Sequence, residues 1–475
     1  MLTAAKRPVW LGVLAACGLL CLVETALRLG AASPDTRFTL PQFSLGYFWG
    51  TPLGWTGLVD GVWVNRDSVQ FASLAGFFRD AAHVAVPPQD NVYVRFAGYS
   101  LVGSALAPLL GDYAAFVVTN VVFWLAGAWA TYLLGLRKTS SPLVGALAAG
   151  LVATAPVFAA LVGQALPYVA SYGLFALGLL LLDQARAFES DRPLRTLALV
   201  GLGAGASLLF YDVYMLPAFV VVYGLLRRMR LTDIVVLAAC MLAPRLVWTG
   251  YWQAMHLPSY SHNEQHPMEA LLAWFDTARV GLGPLDKVKG YAFLAAHGLL
   301  NIATVFLFWP VGLAVWELWR RRGSPEAAWF VAVLVAGFGP ALFMLSTWPH
   351  IPRWYAYGFP AVYVLASAAA LRIAGELLAR LRRPKPLVLR ERSGSIAENG
   401  LSKGGTARRG LAEGGLATAG LVWASPAEPR LAGVGLAVLV LLPAVLLANL
   451  DVLGYTKAME LLLFQPGSWA YLWSR

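Results

Sequence analysis

The stretch Val62-Trp-Val-Asn-Arg-Asp-Ser-Val-Gln-Phe-Ala-Ser-Leu-Ala-Gly-Phe-Phe78 occupies the long polar interval that follows the first apolar segment of the chain. Asp67 starts a series at helical spacing (i, i+4, i+7, i+11) whose later members are Phe71, Leu74 and Phe78. This spacing predicts a helix with an acidic group at its start and an apolar stripe behind it. The four residues that begin with Asp67 also fit a helix capping box, which gives the carboxylate a structural interpretation.

The composition of the chain indicates a membrane protein. Of its 475 residues, 59% are hydrophobic and only 13% are charged, whereas soluble domains average about 25% charged residues. The formal charge of +11 is explained by the basic cytoplasmic loops that set membrane topology, and it is not taken as a sign of nucleic-acid binding. Cys17, Cys21 and Cys240 all lie in apolar runs, which predicts neither a disulfide nor a thiolate metal site.

The predicted fold class is all-α, a polytopic integral membrane protein with about eleven transmembrane helices. The N-terminal apolar run continues to about Leu29, so it is interpreted as a retained first helix and not as a cleaved signal peptide. The predicted spans are 9–29, 113–136, 142–162, 168–183, 196–211, 213–226, 231–251, 293–318, 326–347, 354–379 and 431–450. The stretch 196–226 is either one hairpin or a bent helix.

The orientation of these spans follows from the Lys and Arg residues. A cytoplasmic N-terminus places most of the 36 basic residues on the inner side, provided that the stretch 95–110 does not cross the membrane. The first outer loop, about 30–112, then holds two amphipathic surface helices, over 67–80 and 95–110. The segment 381–430 is predicted to be a flexible basic cytoplasmic linker, and 431–475 to be a last transmembrane helix with a short outer tail.

Acidic residues on the predicted outer face are candidates for chemistry. Asp67 at the membrane surface can act as a general base on a hydroxyl or amine. Asp60, in a Val-Asp-Gly sequence, is either functional or a turn residue. Asp212, inside the apolar run 209–217, either contacts a substrate or phosphate, or lies hydrated in a hairpin turn at the outer interface.

Two further stretches on the predicted outer face carry ligand-type residues. His262, Glu264 and His266 are candidate ligands of a divalent metal ion, although their spacing matches no zinc motif and a solvated loop is the more common form of such a segment. Arg353 offers a rigid fork of donors for phosphate oxygens, and Tyr355 nearby suits a lipid or sugar interface. The alternative is an interfacial anchor built from Trp, His and Arg.

The order of these motifs resembles a known family. One N-terminal span leads into a long outer loop with the segment 67–75, a second surface segment 94–111 follows, and a span then ends in Tyr132-Leu-Leu-Gly-Leu-Arg-Lys138. This order over residues 1–380 is similar to the GT-C glycosyltransferases, and most similar to the protein mannosyltransferase and lipid A aminoarabinose transferase branch. Residues 1–380 are therefore expected to form the catalytic transmembrane domain.

The resemblance implies roles for particular residues. Asp67 corresponds to the family's catalytic base, with Phe71 where an aromatic residue, usually Tyr, follows four positions later. Arg95 begins the stretch that matches the family's substrate-binding surface helix, although the prolines of that motif are missing. Arg353 stands where the family has an Arg-Tyr element before a late span. Arg66 precedes Asp67, so the paired acidic residues frequent in the family are absent.

The resemblance also implies an activity. The expected enzyme is a glycosyltransferase of the cell inner membrane that moves a hexosyl or pentosyl group from a polyprenyl-phosphate-linked donor to a lipid, glycan or protein acceptor on the periplasmic face. Related enzymes often use a divalent metal ion, and no nucleotide or organic cofactor is indicated: the glycines of 201–205 suit helix packing. The alternative is a transporter or flippase of an envelope precursor, which would need charges along its path.

Overall fold

The computed structural model describes residues 7–30, 55–59, 62–79, 94, 96–163, 165–189, 192–211, 214–254, 309–343 and 352–382, together with single positions between 288 and 306 and Val438. The helices are α1 Arg7–Gly30, α2 Arg66–Arg79, α3 Ala97–Leu110, α4 Ala114–Thr139, α5 Pro142–Ala153, α6 Pro156–Val162, α7 Tyr168–Gln184, α8 Leu194–Gly205, α9 Met215–Leu226, α10 Leu231–Ala254, α11 Trp309–Arg320, α12 Pro325–Phe343 and α13 Phe359–Arg382. Two 3-10 helices, Ala206–Leu209 and Pro352–Gly358, and one hairpin, β1 Trp55–Val59 with β2 Val62–Asn65, complete the described elements.

The predicted fold class, an all-α polytopic membrane protein, is confirmed. Four helical stretches of the described chain are long and apolar enough to cross a bilayer, Ala114–Thr139, Leu231–Ala254, Pro325–Leu342 and Tyr355–Leu381. The surface helices α2 and α3 have 14 residues each, fewer than the ~20 that a crossing helix needs. Leu109 at the end of α3 is 83% exposed, which is favourable if this helix lies in the membrane interface.

Several spans differ in detail from their predicted form. The predicted span 142–162 consists of two helices. Helix α5 ends before Pro156, which has no N–H to continue its hydrogen bonding, and α6 begins there. The stretch 196–226 is two separate helices, α8 and α9, and not one bent helix. Of 293–318, only single positions and the continuous stretch 309–318 are described, and of 431–450 only Val438. The predicted linker lies almost wholly outside the described residues.

Close helix packing in the centre of the bundle depends on glycine. Helix α4 packs against both α5 and α7. A Cβ atom added to Gly173 on α7 would lie 2.1 Å from the carbonyl oxygen of Phe123 on α4, which is a severe clash with backbone. Gly205 approaches α10 in the same way, with 2.2 Å from its added Cβ to the carbonyl oxygen of Met241. Small residues thus let these helices approach closely, as is typical in membranes.

We expect Gly173→Ala to destabilise the protein even though Ala favours helix formation. The added methyl must push α4 and α7 apart, and overpacking of this kind costs about 1–3 kcal/mol. Gly150→Ala on α5 is the matched control, since nothing lies within 4 Å of its added Cβ. Thermal unfolding in detergent should show a lower midpoint for Gly173→Ala and an unchanged or higher one for Gly150→Ala. Equal midpoints for the two variants would contradict this packing.

Ion pairs mark the end of the bundle that the sequence places on the inner face. Asp183 at the end of α7 pairs with both Arg137 and Lys138 at the end of α4. Glu317 on α11 is fully buried and accepts hydrogen bonds from Arg321, at 2.6 Å, and from Arg372 on α13, at 3.1 Å. Arg372, which falls inside a predicted span, therefore has a structural partner. Buried carboxylates require such pairing.

Candidate functional site

Helix α2 holds Asp67 in its first turn. The helix begins at Arg66, so Asp67 lies one residue inside it, where the positive end of the helix dipole favours a carboxylate. The predicted apolar stripe is present: Phe71 and Leu74 are fully buried, and the ring of Phe78 lies 6.0 Å from that of Trp248 on α10. The backbone of Asp67 is therefore fixed by packing behind it, while its side chain lies outside the described part of the structure.

Tyr99 on α3 connects α2 to the bundle. Its ring meets that of Phe71 edge-on at 5.3 Å, and Ser100 Oγ next to it donates to the carbonyl oxygen of Phe71 at 3.1 Å. The Tyr99 hydroxyl donates to the carbonyl oxygen of Leu166 at 3.0 Å, and it also lies 3.3 Å from Asn120 Oδ1. Complete burial raises the pKa of this phenol well above its ordinary value, so it keeps its proton and remains a donor. Helix α2 is thereby attached to the chain just ahead of α7.

The 3-10 helix that carries Arg353 attaches to the same part of the chain. Tyr357 lies in this 3-10 helix, and Ser171 lies in the first turn of α7. Their hydroxyl oxygens share a hydrogen bond of 2.7 Å. The Tyr357 ring also packs edge-on against Tyr172 at 4.9 Å and against Phe175 at 5.6 Å. This places the backbone of Arg353 beside the start of α7, while its side chain lies outside the described part.

The elements carrying Asp67 and Arg353 therefore converge on residues 166–171. Asp183, at the other end of α7, lies in the basic region that the sequence assigns to the inner face. Asp67 and Arg353, far apart in sequence, consequently belong to elements attached at the end of the bundle predicted to face outward. This arrangement brings the two elements to one region of the molecule.

Tyr355 lies in the same 3-10 helix, and its side chain is buried. It is 1% exposed, and its ring lies 6.3 Å from that of Phe338 on α12. In this position it packs the 3-10 helix against the bundle. Its proposed contact with a lipid or sugar stays a prediction.

Arg245 on α10 is an ionisable residue among aromatic side chains, and it was not among the predicted site residues. Its guanidinium lies 4.8 Å from the ring centre of Phe96 and 4.9 Å from that of Tyr214. The Phe96 ring is in turn 4.8 Å from that of Tyr211, which meets Tyr168 at the start of α7 edge-on at 5.0 Å. One sequence signal could have identified Arg245, because an ionisable residue inside a membrane span is a functional candidate by default.

The remaining predicted site residues, Asp60, Arg95, Asp212, His262, Glu264 and His266, lie outside the described residues. Two of these residues have described neighbours in the chain: Phe96 follows Arg95, and Tyr211 precedes Asp212. The rings of Phe96 and Tyr211 are in contact. Strand β1 ends at Val59 and β2 begins at Val62, and these two residues pair, while both interpretations of Asp60 stay predictions. No group of three or more His, Cys, Asp or Glu side chains able to hold a metal occurs in the described part of the chain.

The hydrogen bond between Tyr357 and Ser171 can be tested by a double-mutant cycle. Tyr357→Phe and Ser171→Ala each remove one hydroxyl, and a hydrogen bond contributes about 0.5–1.5 kcal/mol. We expect each variant to lower the thermal midpoint, and the double variant to lower it by less than the sum of the two. Fully additive midpoint changes would show that this bond does not hold the 3-10 helix on α7.

These features define the class of the molecule as a polytopic, all-α membrane protein in which two surface helices lie against one end of a helical bundle. No protein-family model matches the chain, and no curated protein matches its sequence. Its fold is similar to that of the archaeal oligosaccharyltransferase AglB from Archaeoglobus fulgidus, solved with an inhibitory peptide and a dolichol-phosphate. The TM-score is 0.54 at 13% sequence identity, over 98% of this chain and 59% of AglB.

Two other solved structures are similar to a smaller part of the chain. ArnT from Cupriavidus metallidurans bound to undecaprenyl phosphate has a TM-score of 0.43 at 17% identity, over 67% of this chain and 58% of ArnT. The Archaeoglobus fulgidus oligosaccharyltransferase in complex with Zn and sulfate has a TM-score of 0.47 at 14% identity, over 78% of this chain and 50% of that one. This chain thus spans less than two thirds of the length of each of these proteins.

Proposed function

We propose that the protein is a membrane glycosyltransferase that moves a sugar from a polyprenyl-phosphate-linked donor to an acceptor on the outer face of the inner membrane. The similarity to AglB, a transferase solved with a dolichol-phosphate, supports this class of donor. The acceptor is a lipid, a glycan or a protein that offers a hydroxyl or amine. The N-terminus is cytoplasmic and the reaction occurs on the periplasmic side.

The observation that supports this function most strongly is that α2 and the 3-10 helix Pro352–Gly358 are both attached to residues 166–171. The helix that carries Asp67 reaches this segment through the Tyr99 hydrogen bond to Leu166, and the 3-10 helix that carries Arg353 reaches it through Ser171. A general base and a cation for a phosphate leaving group are needed at one site, and these attachments bring their backbones to one region.

The proposed reaction is a single displacement. The Asp67 carboxylate accepts the proton of the acceptor hydroxyl or amine while that oxygen or nitrogen attacks the anomeric carbon. The bond between this carbon and the phosphate oxygen breaks, and its electron pair leaves with the polyprenyl phosphate. Arg353 stabilises the negative charge that develops on the phosphate, and the configuration at the anomeric carbon is inverted.

Arg245 is a second cation that this reaction can use. It lies in the outer half of α10 by the predicted topology, about 14 Å along the helix axis from the last residue, at 1.5 Å per residue. Contacts with the rings of Phe96 and Tyr214 hold its guanidinium in place. We propose that Arg245 contributes to the positive field around the donor phosphate. A divalent metal held by His262, Glu264 and His266 stays a separate prediction, and the steps above do not involve it.

Reconstitution tests this function directly. Purified protein in proteoliposomes would be given a panel of polyprenyl-phosphate monosaccharides together with a cell-envelope extract as the source of acceptors. We expect one donor to release free polyprenyl phosphate while its sugar appears covalently bound in the extract. Movement of the intact donor across the bilayer without any covalent product would instead support the flippase alternative.

A further inference from the structure

The end of the bundle that the sequence places on the cytoplasmic side contains a cavity with basic walls. Its volume is about 380 Å³. It is lined by Arg137, Lys138, Leu182, Asp183, Arg186, Phe188, Glu189, Tyr223 and Arg227. These residues come from the ends of α4, α7 and α9, far from the elements that carry Asp67 and Arg353.

The cations of this cavity exceed its carboxylates. Four Lys and Arg side chains line it, against the two carboxylates of Asp183 and Glu189. The carboxylate of Asp183 is shared by two cations, and that of Glu189 lies 3.7 Å from Arg186 and 3.0 Å from Arg192, which is outside the lining. Arg227 forms no ion pair with any carboxylate in the described part of the chain. The walls therefore carry an excess of positive charge.

The negative ends of helix dipoles offset part of this positive excess, but not all of it. The carbonyl ends of α4, α7 and α9 meet at the cavity, and each carries roughly −0.5 of an elementary charge. Three such ends supply about −1.5. The two cations in excess over the two carboxylates are therefore not fully compensated, and the nearby charges outside the lining, Arg192 and Glu326, are of opposite sign. The cavity favours an anion.

The apolar part of the lining distinguishes a lipid headgroup from a free anion. Phe188 contacts Tyr223 at 4.7 Å and Phe219 at 5.7 Å between ring centres, and Lys138 lies 5.2 Å from the ring centre of Trp329. Aromatic and basic residues mixed in this way are typical of the membrane interface.

Two of the helices that form the cavity also carry exposed apolar side chains near it in sequence. Leu181 and Leu225, on two of the three helices that form the cavity, are 37% and 59% exposed. An acyl chain could continue along these leucines from a headgroup held in the cavity. A fully hydrated anion would make no use of such a surface.

We propose that this cavity binds the phosphate group of an anionic phospholipid from the cytoplasmic leaflet. Basic pockets between transmembrane helices on the cytoplasmic side are suited to lipid phosphates. The Arg227 guanidinium donates hydrogen bonds to the phosphate oxygens, Arg186 adds charge at the rim, and the rings of Phe188 and Tyr223 contact the glycerol region. This site depends on the predicted topology and is independent of the proposed glycosyl transfer.

Lipid titration of the full chain tests the proposal. Detergent-purified protein would be titrated with phosphatidylglycerol or phosphatidylcholine, and bound lipid would be counted by native mass spectrometry. We expect tighter binding of phosphatidylglycerol, and about a 10-fold loss of this affinity in Arg227→Gln, because a hydrogen bond to a charged group is lost. Arg186→Gln should weaken binding less, since its side chain is 64% exposed and already close to Glu189.

The matched control is Arg195→Gln, which removes an exposed cation on the same predicted face but outside the cavity. Its affinity for phosphatidylglycerol should equal that of the unchanged protein. Equal affinities for the two lipids, or equal losses in Arg195→Gln and Arg227→Gln, would overturn the proposal.

Competition with inorganic phosphate is a further part of the experiment. Displacement of the lipid by millimolar phosphate would show a site for a soluble phosphate, which also overturns the proposal. Since Arg227 is exposed and forms no ion pair with a described carboxylate, its variant should fold, which size-exclusion chromatography checks.

Discussion

Asp67→Asn should reduce the rate of sugar transfer by about 10²- to 10⁴-fold, the range that a positioned general base contributes. The amide cannot accept the proton of the acceptor, while its size and shape are nearly those of the carboxylate. The packing of α2 should be unchanged, because Phe71 and Leu74 are fully buried in its apolar stripe and are not altered. The measurement is the rate of covalent product formation in proteoliposomes, at equal amounts of folded protein.

The control for this variant is Asp112→Asn. Asp112 follows α3 in the chain, is 55% exposed and pairs with Arg79 at 2.8 Å. An exposed pair of this kind contributes only about 0–1 kcal/mol to stability, so transfer should continue at close to the full rate. Asp67→Asn with full activity would remove Asp67 as the base. Equal losses in both variants would assign the effect to the surface charge of this region.

Arg353→Gln should lower kcat/KM for the lipid-linked donor by roughly 100-fold, in line with the loss of one donor that stabilises a developing negative charge. Arg353→Lys should recover only part of this activity. Lysine keeps the charge but lacks the planar fork that binds two phosphate oxygens together. The measurement is donor-dependent kinetics in the same proteoliposome assay.

Arg79→Gln is the matched control, since it removes an exposed arginine whose ion pair joins α2 to the turn before α4. We expect its kcat/KM to stay within a few-fold of the unchanged protein, as is usual for an exposed ion pair. If Arg353→Lys were fully active, simple charge would suffice and bidentate recognition of the phosphate would be wrong. If Arg353→Gln were fully active, the donor phosphate would bind elsewhere, and Arg245 would be the next residue to test.

The helix in the polar N-terminal interval could be predicted from sequence because it depends on the spacing of apolar residues. The recurrence of Phe71, Leu74 and Phe78 after Asp67 predicts α2, and the helix is present with the first two of these side chains fully buried. The hairpin before it was not predicted, although Asp60-Gly61 between two β-prone runs is a recognised hairpin signal.

Contacts between distant segments could not be predicted in this way. Nothing in the spacing of residues around Tyr99 indicates that its hydroxyl donates to Leu166, or that Tyr357 bonds to Ser171. The same limit applies to Arg372, whose partner Glu317 lies on another helix. Periodicity reports which face of a helix is apolar, whereas these pairings depend on how whole helices pack.

Lipid-linked sugar pools in cells test the central claim most directly. Polyprenyl-phosphate-linked sugars would be extracted and quantified from cells that make the protein, cells that lack it and cells that make Asp67→Asn at the same level. We predict that one lipid-linked sugar accumulates in both the cells that lack the protein and the Asp67→Asn cells, because its consumption requires this carboxylate. Identical pools in all three, with the protein present in the membrane, would contradict the proposed function.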